Sequence, residues 1–225
     1  MFTGLVQHVG TIDAIEDSPA GKRWWVVIRD WWPCGQRGIV EGDSICVSGV
    51  CLTVAAIAGG ADCRRLAFDV IPETLAKSSL GGRGVGGAVN LEPAVTADQP
   101  MGGHFMQGHV DGVGEVIAVQ DDPADWRVSI KVPGGFEAWL VPKGSIAVDG
   151  VSLTLAEVNA DTFEIALIPT TLEHTTLDEL EVGSRVNLEG DVVVKSVVAN
   201  LARITGGEKA KGVSAATLLA AGFTG

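Results

Sequence analysis

The strongest constraint on this chain is that it is written twice. Gly49-Val50-Cys51-Leu52-Thr53 returns about 100 residues later as Gly150-Val151-Ser152-Leu153-Thr154, a spacing suited to two copies of one domain. Similar runs precede the copies, Gly42-Asp43-Ser44-Ile45-Cys46-Val47 and Lys143-Gly144-Ser145-Ile146-Ala147-Val148. Two further blocks extend the match: residues 4–10 face 108–114, and residues 72–92 face 169–189. The offset shortens slightly from block to block, as small loop differences between duplicated domains produce.

Each copy reads as all-β. Runs rich in Val, Ile, Leu and Thr at 44–47, 51–57, 66–71, 127–132, 152–158 and 163–168 alternate with turn residues such as Gly59-Gly60, Asp121-Asp122-Pro123, Pro133-Gly134-Gly135 and Asn159-Ala160-Asp161. About six strands per copy suit a small closed barrel, which leaves no sheet edge exposed. The domains are expected at 1–97 and 98–190, with a linker at 93–102 and short helical turns at 73–79 and 170–176. The Gly-rich run 81–87 does not lie between a strand and a helix, so it reads as a flexible loop and not as a phosphate cradle. After the second copy, Val193, Val194, Val197, Val198, Leu201 and Ile204 recur at three- and four-residue intervals, which predicts a helix over 192–204. Asp191 stands at its N-cap position, Gly206-Gly207 stops it, and 206–225 reads as a flexible tail. The first copy has no such helix, so its apolar face is expected to pack against copies of itself.

Composition narrows the partners. With 46% hydrophobic and 20% charged residues the chain reads as a soluble globular protein, and no apolar run approaches the roughly 20 residues of a membrane helix. Met1-Phe2-Thr3-Gly4 lacks the features of a signal peptide, so a cytoplasmic location is expected. A net charge of −12 speaks against nucleic acid and anionic membrane, leaving a small molecule as the expected partner. Cys34, Cys46, Cys51 and Cys63 contain no C-x-x-C pair and read as free thiols. Of the Trp pairs, Trp24-Trp25 and Trp31-Trp32, the first lies in a strand-like run and reads as core packing or a covered sheet edge.

No phosphate loop, nucleophile elbow or zinc helix is present. His104 and His109 have no Cys or acidic cluster beside them to complete a metal site, so no metal is expected. What remains is the asymmetry between matched positions. Cys51 faces Ser152, Gly42 faces Lys143 and Ala94 faces Asp191, with His104 just before the second copy. Two related pockets with unlike reactive groups suit a reaction between two similar molecules held in different roles. Each residue also has a plain structural reading: Cys51 as a core thiol, Ser152 and Thr154 as partners of backbone groups, Asp191 as the helix cap.

Met1-Phe2-Thr3-Gly4, Gly49-Val50-Cys51-Leu52-Thr53-Val54, the run from Met101-Gly102-Gly103-His104 through Gly108-His109-Val110-Asp111-Gly112, and Asp149-Gly150-Val151-Ser152-Leu153-Thr154 resemble the signatures of riboflavin synthase of the trimeric alpha-chain type. The resemblance spans roughly residues 1–204. It implies tandem six-stranded Greek-key β-barrels, a trimerisation helix at 191–205, and dismutation of two 6,7-dimethyl-8-ribityllumazine molecules. A four-carbon unit passes from one to the other, giving riboflavin and 5-amino-6-ribitylaminouracil, with no metal or redox cofactor. It further implies a homotrimer whose sites form where the first barrel of one subunit meets the second barrel of another, and it allows association with lumazine synthase, which makes the substrate. Ser48 and Gln7 stand where the family more often has Asn or Asp, and Glu.

By this resemblance the first pocket uses Gly4, Leu5, Val6, Cys51, Leu52, Thr53, Asp69, Val70, Ile71, Pro72, Glu73 and Thr74, closed by the main chain of Gly108, His109 and Val110. The second uses Lys143, Ser152, Leu153, Thr154, Ala166, Leu167, Ile168, Pro169, Thr170 and Thr171. His104 is expected to move the proton of the acidic lumazine C7 methyl. Cys51, Ser44 and Ser152 are expected to hold or deliver a nucleophile, Lys143 and Asp191 to orient and polarise the second substrate, and Phe2 to cover the first pocket. The alternative implied by the same fold is a non-catalytic lumazine- or flavin-binding antenna, which lacks the second pocket's polar set.

Overall fold

The computed structural model describes residues 1–29, 38–60, 63–122 and 124–205. The Trp31-Trp32 pair, Cys34, the side chain of Ile204, the Gly206-Gly207 stop and the 206–225 tail lie outside the described residues. Strands β1 (His8–Ser18), β2 (Gly21–Arg29), β3 (Ser44–Val47), β4 (Val50–Gly59), β5 (Cys63–Val70) and β6 (Ala88–Pro93) close in the order β1-β2-β5-β4-β3-β6. Strands β7 (Gly112–Asp122), β8 (Asp125–Lys131), β9 (Ser145–Val148), β10 (Val151–Val158), β11 (Thr162–Leu167) and β12 (Arg185–Gly190) close into a second barrel of matching order. Every pairing is antiparallel.

Closing six short strands requires sharp local bends, and these too are duplicated. The register shifts between Ile12 and Ala14 and between Val54 and Ala56 in the first barrel, and between Val116 and Ala118 and between Leu155 and Glu157 in the second. Such bulges add the twist that lets a small sheet meet itself. Trp24, Phe68, Leu66 and Leu91 fill the first interior, Phe163, Ile130, Leu155 and Leu188 the second. Trp24 is thus a core residue, while Trp25 on the opposite face lies under the Arg65 guanidinium, 4.8 Å from the ring centre.

The helical turns start one residue earlier than expected, because Pro72 and Pro169 each occupy the first turn of α1 (Pro72–Lys77) and α2 (Pro169–His174), where a missing N–H costs nothing. A 3-10 turn follows each, Ser79–Gly82 and Thr176–Glu179. The Gly-rich run is not a loose loop. Gly81 lies where a Cβ would collide with the Leu75 carbonyl, and Arg83 is anchored to Ala88 O and to Asp149 Oδ2, both at 2.6 Å. The expected linker is also shorter, since Ala94 and Val95 still donate to Ser44 O and Met1 O, both at 3.0 Å.

The barrels join through reciprocal contacts. Asn90 on β6 donates to Asp149 O (2.9 Å) and accepts from Thr176 N (2.8 Å). Asn187 on β12 donates to Ser48 O (2.7 Å) and accepts from Ser79 N (2.6 Å). All four groups are buried and all find partners, as buried polar groups must. Ser48 and Asp149 both take left-handed backbone, φ 42° and 44°, in matched hairpin turns. Only the second carries charge, and Arg83 neutralises it. Residues Met1–Asp191 form one compact unit, and the described residues from Val192 onward belong to a second. In the latter, α3 (Val192–Thr205) carries exposed Val193, Val197 and Leu201 at four-residue spacing.

Candidate active site

The segments leading into the two barrels cross over. Phe2 and Met106 exchange amide hydrogen bonds of 2.8 and 3.1 Å in an isolated antiparallel bridge. Just beyond it, Gly4 O accepts Ser152 N of the second barrel, and at the matched place Gly108 O accepts Cys51 N of the first, both at 2.8 Å. Gly4 and Gly108 have φ of 77° and 74°, and a Cβ on either would lie within 2.8 Å of the facing strand's amide nitrogen, so both positions require glycine.

Two buried carboxylates hold these segments. Glu92 accepts Thr3 N (2.7 Å), Thr3 Oγ1 (2.7 Å) and Gly4 N (2.9 Å). Glu189 accepts Gln107 N (2.7 Å), Gly108 N (2.9 Å) and His109 N (3.1 Å). Burial pushes the Glu92 carboxyl above its usual range, while the Thr3 and Gly4 donors pull it down. Thr3, Glu92, Glu189, Asn90 and Asn187 were not among the expected site residues. For Asn90 with Asn187 and Glu92 with Glu189 the signal is the identity of polar residues at matched strand positions, where Asn and Glu are otherwise disfavoured.

The crossover corrects the expected pockets. Gly4, Leu5 and Val6 do not join Cys51: Gly4 bonds Ser152, and Val6 packs against the second core. Val110 packs against the first core. Glu189 holds the Gly108 and His109 amides, and Gly108 O accepts from Cys51 N. Phe2 is fully buried in a cluster with Cys46, Met106 and Ala147, beside which Cys51 packs, so it supports the Cys51 region from within and does not cover it. Strand alternation separates the other residues. The side chains of Leu52, Val70 and Leu167 point into the cores and that of Leu153 packs against one, whereas Cys51, Thr53, Asp69, Ile71, Thr154, Ala166 and Ile168 do not.

In the second barrel, His104 Nδ1 lies 2.7 Å from Ser152 Oγ. His104 N donates to Thr3 O (3.1 Å), which fixes the ring's approach. Burial lowers the imidazole below its ordinary value of 6.5, and Asp191 acts in the opposite direction. The neutral ring can accept the Ser152 proton at Nδ1, while Nε2 is buried without a hydrogen-bond partner. Asp191 directly precedes α3. Lys143 adopts φ 64° at the place of Gly42 (φ 91°), and its Nζ donates to Ala156 O at 3.2 Å.

In the first barrel, Cys51 takes the place of Ser152 and is half-buried. Ser44 pairs in register with Thr53, as Ser145 does with Thr154. Asp69 is bound by Arg23 through two 2.8 Å hydrogen bonds, which hold its carboxyl below the usual range. Glu73 bonds Lys77 at 2.7 Å, and the carbonyls of Thr74 and Thr171 accept from Ser78 and Thr175. Thr170 is exposed beside Pro169 in the first turn of α2.

A cavity of about 560 Å³ lies elsewhere, lined by Leu75, Ser79, Arg83, Asp149, Thr176 and Arg185 among others. None of the expected site residues lines it. Cys51 and Ser152, both half-buried, do not line this cavity. Among the described residues no group of three or more His, Cys, Asp or Glu is placed to hold a metal ion, and no helix is long and apolar enough to cross a membrane.

The model of the lumazine binding domain matches residues 3–94 and again 107–191. The riboflavin synthase of Mycobacterium tuberculosis (strain ATCC 25618 / H37Rv) is 43% identical over 201 residues, covering 88% of this chain and 96% of the relative. That of Bacillus subtilis (strain 168) is 38% identical, covering 87% of each. The crystal structure of LumP complexed with riboflavin superposes with a TM-score of 0.74 at 28% identity, over 84% of this chain and 99% of LumP. Duplicated barrels, duplicated matches and near full-length relatives agree: the chain belongs to the riboflavin synthase family of lumazine-binding proteins.

Proposed function

We propose that this protein converts two molecules of 6,7-dimethyl-8-ribityllumazine into riboflavin and 5-amino-6-ribitylaminouracil by transfer of a four-carbon unit. The observation that carries the reading is the His104–Ser152 contact of 2.7 Å on the second barrel, facing a matched place on the first that holds Cys51. One barrel presents a base and a hydroxyl, the other a thiol, so two identical substrates meet unlike surroundings.

Removal of a proton from a lumazine C7 methyl leaves a carbanion delocalised into the ring, and a nucleophile adds at C7 of the partner molecule. Neutral His104 takes the proton by way of Ser152, whose hydroxyl proton it accepts at Nδ1, and returns it later. Ser152 and Cys51 hold or deliver the nucleophile, and Asp191 and Lys143 set the field around the second substrate. Fixing two rings face to face supplies about 7–11 kcal/mol of the barrier. As the family resemblance implies, the working site forms between the first barrel of one subunit and the second barrel of another. The exposed stripe of α3 fits self-association, and a homotrimer in the cytoplasm, able to associate with lumazine synthase, completes the reading.

Purified protein mixed with the lumazine alone is expected to yield riboflavin, followed by absorbance and fluorescence. Tight binding without turnover would overturn the reading in favour of a binding-only role, as the likeness to ligand-bound LumP allows. Size in solution tests the assembly: a trimer is expected, lost on deletion of residues 192–225.

A further inference from the structure

Cys46 on β3 and Cys51 on β4 are Cα partners across the first hairpin. Residues directly opposite on an antiparallel ladder share a face. Here that face is the apolar cluster of Phe2, Met106 and Ala147, outside the barrel interior. The Cys51 amide donates to Gly108 O at 2.8 Å and so is not spent on Cys46, which makes this a non-hydrogen-bonded pair. Such pairs bring Cα atoms to about 4.5 Å and side chains to their closest approach, within the span a disulfide bridges. Both side chains are free thiols. The second barrel has Ala147 opposite Ser152 at the matched place, so the pair is a property of one barrel alone.

We infer that Cys46 and Cys51 form a reversible redox pair that a peroxide oxidises to a cross-strand disulfide, blocking the first substrate pocket. Loss of activity rests on the reading of Cys51 as a pocket residue, whereas bond formation does not. Cys51 is half-buried and Cys46 fully so, and burial with the nearby Glu92 holds the Cys46 thiol well above its ordinary range. Cys51 therefore meets the oxidant first and Cys46 resolves. The Cys51 thiolate attacks one peroxide oxygen, the O–O bond breaks, and a sulfenic acid and hydroxide result. Cys46 sulfur then attacks Cys51 sulfur, the S–O bond breaks, and the departing hydroxide leaves as water with the Cys46 proton. Two thiols and one peroxide thus give one disulfide and two waters.

The test treats the full-length protein with stoichiometric hydrogen peroxide, then unfolds it, alkylates it and measures thiols, mass and peptide linkage. Expected are the loss of two titratable thiols per chain, a mass lower by two hydrogens before alkylation, linkage of 46 to 51, and activity lost in step and restored by dithiothreitol. Cys46→Ala, which copies Ala147, keeps basal activity; peroxide then adds oxygen to Cys51, and dithiothreitol does not reverse the over-oxidised fraction. Equal oxygen uptake by wild type and variant, or pairing of Cys51 with Cys34 or Cys63, overturns the inference. A 46–51 bond that leaves turnover intact overturns the pocket-blocking half. If the chain turns over no lumazine, mass and thiol count still decide whether the pair forms.

Discussion

Gly49 and Gly150 face each other between the barrels, so close that a Cβ on Gly150 would stand 2.7 Å from the Gly49 amide nitrogen. Gly150 also has φ 80°, a region costly for other L-residues. Gly150→Ala is expected to destabilise the fold by about 1–3 kcal/mol or more, measured as a lower denaturation midpoint. An unchanged midpoint would mean that the turns separate freely.

Asn187 satisfies two buried groups of the other barrel, Ser48 O and Ser79 N. Asn187→Ala leaves both without partners, at about 1–3 kcal/mol each. Asn90→Ala should lose a similar amount, since Asn90 serves Asp149 O and Thr176 N in the same way. Chemical denaturation of the two variants checks the equivalence.

Arg83 and Asp149 form a 2.6 Å ion pair in which the carboxylate is 2% and the guanidinium 21% exposed. Breaking a buried pair costs about 3–5 kcal/mol, and the partial exposure of Arg83 puts Arg83→Ala toward the lower end. Burial raises the Asp149 carboxyl and Arg83 counters it. A raised carboxyl favours the fold fully below its ordinary value, and that contribution is lost as pH rises through the raised value. Removing Arg83 raises it further. The variant's deficit should therefore be largest near neutrality and shrink on acidification, as stability measured against pH will reveal.

His104 is depressed below 6.5 by burial, so the neutral base persists into mildly acidic solution. The acid limb of kcat should lie below that value. Asp191 pulls the imidazole upward, so Asp191→Asn should move the limb to still lower pH. His104→Ala should reduce kcat by about 10²–10⁴-fold. Ser152→Ala should slow turnover more than it weakens binding to the first barrel, and equal losses at both barrels would contradict the division of roles.

Much of this architecture is readable from residue pattern. The runs rich in Val, Ile, Leu and Thr locate β3, β10 and β11 to within a residue at each end, because strand composition and flanking turn residues act locally. Which barrel receives residues 4–6 is a different matter. The two halves present the same amide acceptors, Cys51 N and Ser152 N, and chain proximity favours the wrong one. Period two also implies that Leu52, Val70 and Leu167 turn inward between functional neighbours. Shared polar residues carried more than packing: Glu92 and Glu189, Asn90 and Asn187 are duplicated because each performs one task twice. The Cys46–Cys51 pairing becomes visible only with the hairpin register.

The exchange of leading segments has a consequence for how the two halves hold together. The contacts of Phe2 with Met106 and of Gly49 with Gly150, and the equivalent bonds that Asn90 and Asn187 each make to the opposite barrel, are mutual in the way of a homodimer across its two-fold axis. A lone half would lack the strap supplied by the other, leaving Cys51 N or Ser152 N bare and the carboxylate of Glu92 or Glu189 gripping a segment with nowhere to dock. Inside one polypeptide the molecule carries an interface arranged like that of a two-fold dimer, except that one half presents a thiol where the other presents a hydroxyl.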